Sequence, residues 1–208
     1  MKIAMFSGGK DSLYASIRAG PIDAYVVLVY SFPIPSPHLV NLGLSVQTGL
    51  LTRKPVFIKR LTKGKEFSET VEFLRFLGVN TIVAGDVYIE EHLKYMEKLA
   101  NEVGASLKEP LWGMDPLEVF YREVEYGIES RIIGVIHSLK DILGKVINQD
   151  NYEEIARYII EKKADVLGEK GEYHTLVEYS PVHCDRLSYR IIGKKSISKN
   201  IILELGTI

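Results

Sequence analysis

The chain has 208 residues, with 26 Lys and Arg against 27 Asp and Glu and a formal net charge of −1. So balanced a charge gives no general pull toward nucleic acid or an anionic membrane surface, and no apolar run reaches membrane-spanning length. One cysteine, Cys184, excludes an intrachain disulfide framework and a cysteine-built metal cluster, while the length suffices for one large domain or two small ones and is compatible with a homo-oligomer.

The apolar residues 1–6 read as a buried strand. Ser7-Gly8-Gly9-Lys10-Asp11-Ser12 follows at once, and 10–18 reads as a helix with Leu13, Ala15 and Ile17 on its inner side. Strand, glycine turn and helix N-terminus together make an anion site, because backbone N–H groups and the helix dipole point into the turn. Lys10 adds positive charge, and Ser7 and Ser12 add hydroxyl donors. Asp11 stands out, since a carboxylate beside a phosphate site needs a metal ion between them. The adjacent glycines do not fit the G-x-x-x-x-G-K-[ST] phosphate loop. A motif beginning at residue 7 leaves no room for a signal peptide ahead of it, so the expectation is a cytoplasmic protein.

Residues 24–31 are a second buried strand, and 32–38 hold three prolines in a rigid, non-helical connection. Residues 38–51 read as one helix, 55–61 as a third strand and 67–77 as an amphipathic helix. A fourth strand, 81–84, ends in Gly85-Asp86. A helix over 90–103 is closed by Gly104, and 106–111 reads as a fifth strand. Strands alternating with helices predict an α/β fold with a doubly wound parallel sheet, whose ligand sits at the carboxyl ends of the strands. That places Gly85 and Asp86 beside the glycine turn and Ser31 near a bound nucleoside. After a soft boundary near Trp112 the pattern changes. Asp115 and Pro116 open a helix that stops at Gly127, followed by a strand at 131–136, a helix at 151–162 and short strands at 188–192 and 201–205. The expected organisation is residues 1–112 for nucleotide binding and 113–208 for a smaller α+β domain.

The hexapeptide resembles the SGGxDS signature of the PP-loop ATP pyrophosphatases, whose fold is Rossmann-like and which split ATP between its α and β phosphates. Residues 168–177, GEKGEYHTLV, resemble the GEGGEYETLV segment of the diphthine–ammonia ligase family. The resemblance extends over essentially the whole chain: His38-Leu39-Val40, Gly85-Asp86-Val87 with Glu90-Glu91-His92, and Glu109 to Asp115 resemble further family segments in the same order. It implies ATP and Mg²⁺ as cofactors, with Ser7, Gly8, Gly9, Lys10, Asp11, Ser12, Ser31, Gly85 and Asp86 at the nucleotide and Asp11 on the metal. It also implies a reaction in which the diphthine carboxylate of translation elongation factor 2 is adenylated and ammonia displaces AMP. Lys10, Asp11, Glu172 and His174 are then the catalytic candidates, and Glu169, Gly171, Glu172, Tyr173 and Thr175 the substrate-binding ones. For the second segment, a charged surface turn and a structural histidine stand as alternatives. The chain departs from the family pattern at Pro33, Met114, Lys170 and His174, so the resemblance carries adenylation further than it carries the acceptor. Two alternatives stay open: a ligase for another small carboxylate or a tRNA base, and a non-catalytic ATP-binding module.

Overall fold

In the computed structural model, residues 1–32 and 34–208 are described; Pro33, one of the departures noted above, lies outside the described residues. The first sheet comprises β1 (Lys2–Met5), β2 (Ala24–Val29), β3 (Val56–Arg60), β4 (Thr81–Val83) and β5 (Ser106–Lys108), all parallel, in the order β3-β2-β1-β4-β5. Parallel strands need both faces covered, and the sequence supplies two apolar sets by simple alternation. Ile3 and Val26 face α4 (Glu66–Phe76) and α5 (Glu90–Val103). Ala4, Phe6, Tyr25 and Val27 face α1 (Lys10–Arg18). The strand order reverses between β1 and β4, which opens a crevice at their carboxyl ends.

The second unit begins with α6 (Pro116–Glu125), where Asp115 accepts the N–H of Glu118 at 2.9 Å and Pro116 takes the first turn. Its sheet is antiparallel. β6 (Glu129–Ile136) is flanked on one edge by β7 (Val146–Ile147) and β10 (Asn200–Gly206) and on the other by β8 (Tyr173–Tyr179), while β9 (Arg190–Ile197) pairs with β10. A helix, α7 (Tyr152–Glu161), and a 3-10 segment (His137–Ile142) cover it. One core continues from the first sheet through Leu13 and Tyr14 into Val119, Phe120, Ile132 and Ile155, so the two units share buried apolar surface. Among the described residues no helix is long and apolar enough to cross a membrane.

Residues 38–51 do not form one helix. α2 (Pro37–Val40) and α3 (Leu42–Leu50) are separated at Asn41. The buried Asn41 donates to Pro37 O and Leu203 O, both at 3.0 Å, and accepts the N–H of Leu205 at 2.9 Å. Three bonds to backbone outweigh one continuous helical turn, and two of them tie this corner to β10. The strand expected at 188–192 is longer and shifted, because β9 runs to the turn at Ser198 (φ 55°) before β10.

Candidate functional site

The turn between β1 and α1 is held by its own polar groups. Gly9 precedes the helix with φ −83° and ψ 164° and no side-chain cap. Its N–H donates to Ser7 Oγ at 3.2 Å, Ser12 Oγ donates to Gly9 O at 3.0 Å, and the two serine hydroxyls are 3.2 Å apart. Gly8 has φ +89°, and a Cβ there would lie 2.9 Å from Ser45 Cα. The left-handed conformation and the backbone contact both exclude a larger residue. The start of α1 borders a cavity of about 510 Å³ whose lining includes Ser7, Gly9, Asp11 and Ser12, a size suited to a nucleotide-sized ligand.

Lys10 does not line that cavity. Its side chain is 1% exposed and turns into the junction between the two units, with Nζ 2.6 Å from Asp11 Oδ1 and 2.9 Å from the buried Glu123 Oε2 on α6. The rings of Phe120 and Tyr173 lie 5.4 and 5.9 Å from the ammonium. Burial works against the charge, but Asp11 and then Glu123 outweigh it and hold the ammonium well above the usual lysine range. The expected phosphate-facing lysine is therefore corrected: two carboxylates, that of Glu123 fully buried, claim it first. Glu123 escaped the sequence reading, although a signal was present. It sits in the apolar stripe of α6 with Val119, Phe120 and Val124, all buried, and a charged residue on such a stripe requires a partner.

Opposite the turn, Gly85 follows β4 closely enough that a Cβ would lie 3.1 Å from Asp11 O and 3.2 Å from Ala15 Cβ. Asp86 lines the cavity and pairs with His92 Nδ1 at 3.0 Å. Burial raises its carboxyl, offset by His92. Ser31 is exposed and does not line the cavity, whereas its neighbour Tyr30 does.

The segment at 167–175 forms the remaining wall. Lys10 N–H donates to Thr175 Oγ1 at 3.2 Å, and Val177 N–H donates to Gly8 O at 2.9 Å, so β8 is bonded directly to the glycine turn. Leu167, Gly168, Glu169, Tyr173, His174 and Thr175 line the same cavity as residues 7–12. Glu169 is fixed through its N–H on Asp165 Oδ2 at 2.8 Å, while its own Oε2 is buried without a partner. Burial, then the charges of Asp11 and Asp86, push this carboxyl up to about 7. Behind it, Glu109 is pushed to about 8 by burial and Asp86, with both oxygens unpartnered. Glu172 and Gly171 do not line the cavity. Glu172 accepts the N–H groups of Lys170 (3.1 Å) and Asp165 (3.4 Å) and thus braces its own loop, with Gly171 at φ +81°. The position expected for Glu172 is thus taken by Glu169. Tyr173 is buried and its hydroxyl donates to Val166 O.

His38, at the start of α2, meets His174 edge to face, with ring centroids 5.4 Å apart and planes at 88°. Burial lowers His38 to about 3, helped by His174, and lowers His174 to about 4 against the pull of Asp11. Both rings are therefore neutral at physiological pH.

Among the described residues no three His, Cys, Asp or Glu side chains converge to hold a metal by themselves. The donors nevertheless suit Mg²⁺, which takes one or two carboxylates and completes its shell with phosphate oxygens and water. Asp11 has one oxygen on Lys10 and is 27% exposed toward the cavity, and Asp86 stands on the other wall.

Comparison with protein families matches residues 1–107 to the diphthamide synthase N-terminal domain and residues 115–205 to the diphthamide synthase C-terminal domain. Among solved structures, the chain is similar to one described as a predicted subunit of a tRNA methyltransferase from Methanocaldococcus jannaschii. The identity is 16%, the TM-score 0.44, and the match covers 85% of this chain and 96% of that one. Comparison with curated proteins gave no match.

Proposed function

Because the chain belongs to the diphthamide synthase family, whose members are PP-loop proteins that use ATP, we propose that it is an amide-forming ligase. It adenylates a carboxylate, diphthine on translation elongation factor 2, and transfers ammonia to it with release of AMP and pyrophosphate. The observation that carries this reading is the meeting of the glycine turn and the 167–175 segment on one cavity, cross-bonded through Thr175 and Val177. A ligase must bring an activated carboxylate and a nucleophile to one point, and each unit contributes half of that point.

The N–H groups at the start of α1 bind the phosphates, favoured by the helix dipole. Asp11 and Asp86 are the residues that would hold Mg²⁺, which when bound neutralises phosphate charge as pyrophosphate departs. Lys10, pinned by Glu123, acts as a positioning residue that holds Asp11 by one oxygen and leaves the other to the cavity. The acceptor carboxylate attacks the α-phosphorus as the bond to pyrophosphate breaks. Ammonia then attacks the acyl carbon and AMP leaves. Glu169, near pH 7 in its titration, is suited to take the proton that the nitrogen loses.

Incubation of the protein with ATP, ammonium and diphthine-bearing elongation factor, followed by chromatography of nucleotides and mass spectrometry of the factor, tests this. AMP, pyrophosphate and an amidated factor are expected. ADP with orthophosphate as main products would overturn the adenylation, and AMP formation without amidation of the factor would overturn the acceptor.

A further inference from the structure

We propose that Tyr88 is a positioning residue, a latch from the first unit that holds Glu169 at the cavity; this rests on the amide-forming reading above, in which Glu169 takes the proton of the nucleophile. Tyr88 follows Asp86 and Val87 in sequence and does not itself line the cavity. Its hydroxyl donates to Asp165 Oδ2 at 2.9 Å, and the Glu169 N–H donates to the same oxygen at 2.8 Å. One carboxylate oxygen thus joins a side chain of the first unit to the backbone of Glu169. Asp165 Oδ1 accepts the N–H of Leu167 at 3.3 Å, and Leu167 lines the same cavity. Lys170 sets its ammonium 5.8 Å from the centre of the Tyr88 ring. Among the described residues, Tyr88 is the only side chain of residues 1–112 that hydrogen-bonds to residues 162–172.

The remaining polar bonds of the segment are internal. Glu172 accepts the N–H groups of Asp165 and Lys170, which fixes the shape of the turn but not its distance from the opposite wall. The Tyr88 hydroxyl sets that distance. Its ring packs on the shared core beside Val87 and Leu167, so the oxygen it presents to Asp165 is itself held. Burial, then the bond to Asp165, raise the phenol, which therefore stays protonated and stays a donor. The charged groups that face Glu169 are Asp11, Asp86 and Glu109 of the first unit and Asp165 of its own segment. With the latch open, Glu169 moves away from the first three and toward water, and its carboxyl returns toward the ordinary carboxylate range. A general base must also lie within hydrogen-bond reach of the proton it takes, and a misplacement of about 1 Å costs on the order of 10²-fold in rate. Tyr88 thus acts through Glu169 and touches neither nucleotide nor acceptor.

Tyr88→Phe in the full chain tests the latch, because it removes the hydroxyl and keeps the ring. The expected result is a kcat for amide formation lowered roughly 10–10²-fold, with the KM for ATP within a few-fold of wild type. The same substitution added to Glu169→Gln should lower kcat by less than about threefold more, since the group it acts through is already gone. In the free protein, without ATP, the side-chain carboxyl ¹³C signal of Glu169 should titrate about one pH unit or more lower in Tyr88→Phe than in wild type. An unchanged ¹³C midpoint in the folded variant, or a loss of kcat as large with Glu169→Gln as without it, would overturn the latch. Wild type that turns ATP into AMP and never forms an amide would instead overturn the amide-forming reading, and the ¹³C titration would still decide the latch.

Discussion

Removing Glu123 should cost the fold more than removing any exposed charge. Lys10 and Glu123 have side chains only 1% exposed each and are 2.9 Å apart. Burial, then the charge of Asp11, raises the Glu123 carboxyl well above its usual range, while the ammonium 2.9 Å away favours its ionised form; breaking such a buried pair by truncating one partner costs about 3–5 kcal/mol. Here the lower end applies to Glu123→Ala, because Asp11 stays 2.6 Å from the ammonium and is 27% exposed. About 3 kcal/mol is a large part of the roughly 5–15 kcal/mol stability of a typical protein. For a chain of this size it corresponds to a Tm lowered by about 6–12 °C. Glu123→Gln keeps an acceptor for Nζ and should lose less, about 1–2 kcal/mol. Lys10→Met combined with Glu123→Met removes both charges and should recover most of the loss. Urea and thermal melts followed by circular dichroism measure all three. A Glu123→Ala variant within about 1 kcal/mol of wild type, or a double Met variant no more stable than Glu123→Ala, would refute the argument.

Three other outcomes follow from the same geometry. Asp11→Asn should leave the circular dichroism spectrum intact and lower turnover roughly 10²–10³-fold, the scale for losing one electrostatic partner of a transition state; near-normal turnover would reassign Asp11 to structure. Turnover should climb as pH rises through about 7, as Glu169 ionises, and Glu169→Gln should remove that limb and leave at most a later one near the value of about 8 at Glu109, since His38 and His174 stay neutral across the window. The same group has a sign in stability. Its folded value lies above the ordinary 4.5, so its contribution is present below that value and is lost as pH rises through about 7; melts of Glu169→Gln should lack that decline. Gly8→Ala, placed at φ +89° and 2.9 Å from Ser45 Cα, should destabilise by about 1–3 kcal/mol and weaken nucleotide binding in calorimetry.

Much of the first unit was legible because its signals are local. The buried runs of β1 and β2, the adjacent glycines and the closure of α5 at Gly104 each follow from a few neighbouring residues. The same holds for Asp115 and Pro116 at the start of α6. What was not legible depends on partners far along the chain. Asn41 breaks a helix because Leu203 and Leu205, more than 160 residues away, offer backbone groups to its amide. Lys10 turns from the expected anion because Glu123 waits on a helix of the other unit. Between Glu169 and Glu172, spacing alone gave no choice. The turn around Gly171 decides it, by bending Glu172 back onto Asp165 and Lys170 and leaving Glu169 on the cavity.

On the proposed reading, the cross-bonds make the second sheet part of the chemistry and not merely a platform for an acceptor. β8 is paired with β6 along one edge. Its other edge supplies the N–H of Val177 to Gly8 O, and the Thr175 hydroxyl accepts the N–H of Lys10. The glycine turn is thus bound as a short extra partner of that sheet, and its unusual backbone is fixed from outside as well as by Ser7 and Ser12. Gly134 on β6 tightens the same junction, since a Cβ there would come within 2.3 Å of Pro37 Cγ. A shift of β8 would therefore move His174 and also reshape the glycine turn at the start of α1. On the proposed amide-forming reading, nucleotide binding and nucleophile handling are then mechanically coupled through four residues: Gly8, Lys10, Thr175 and Val177.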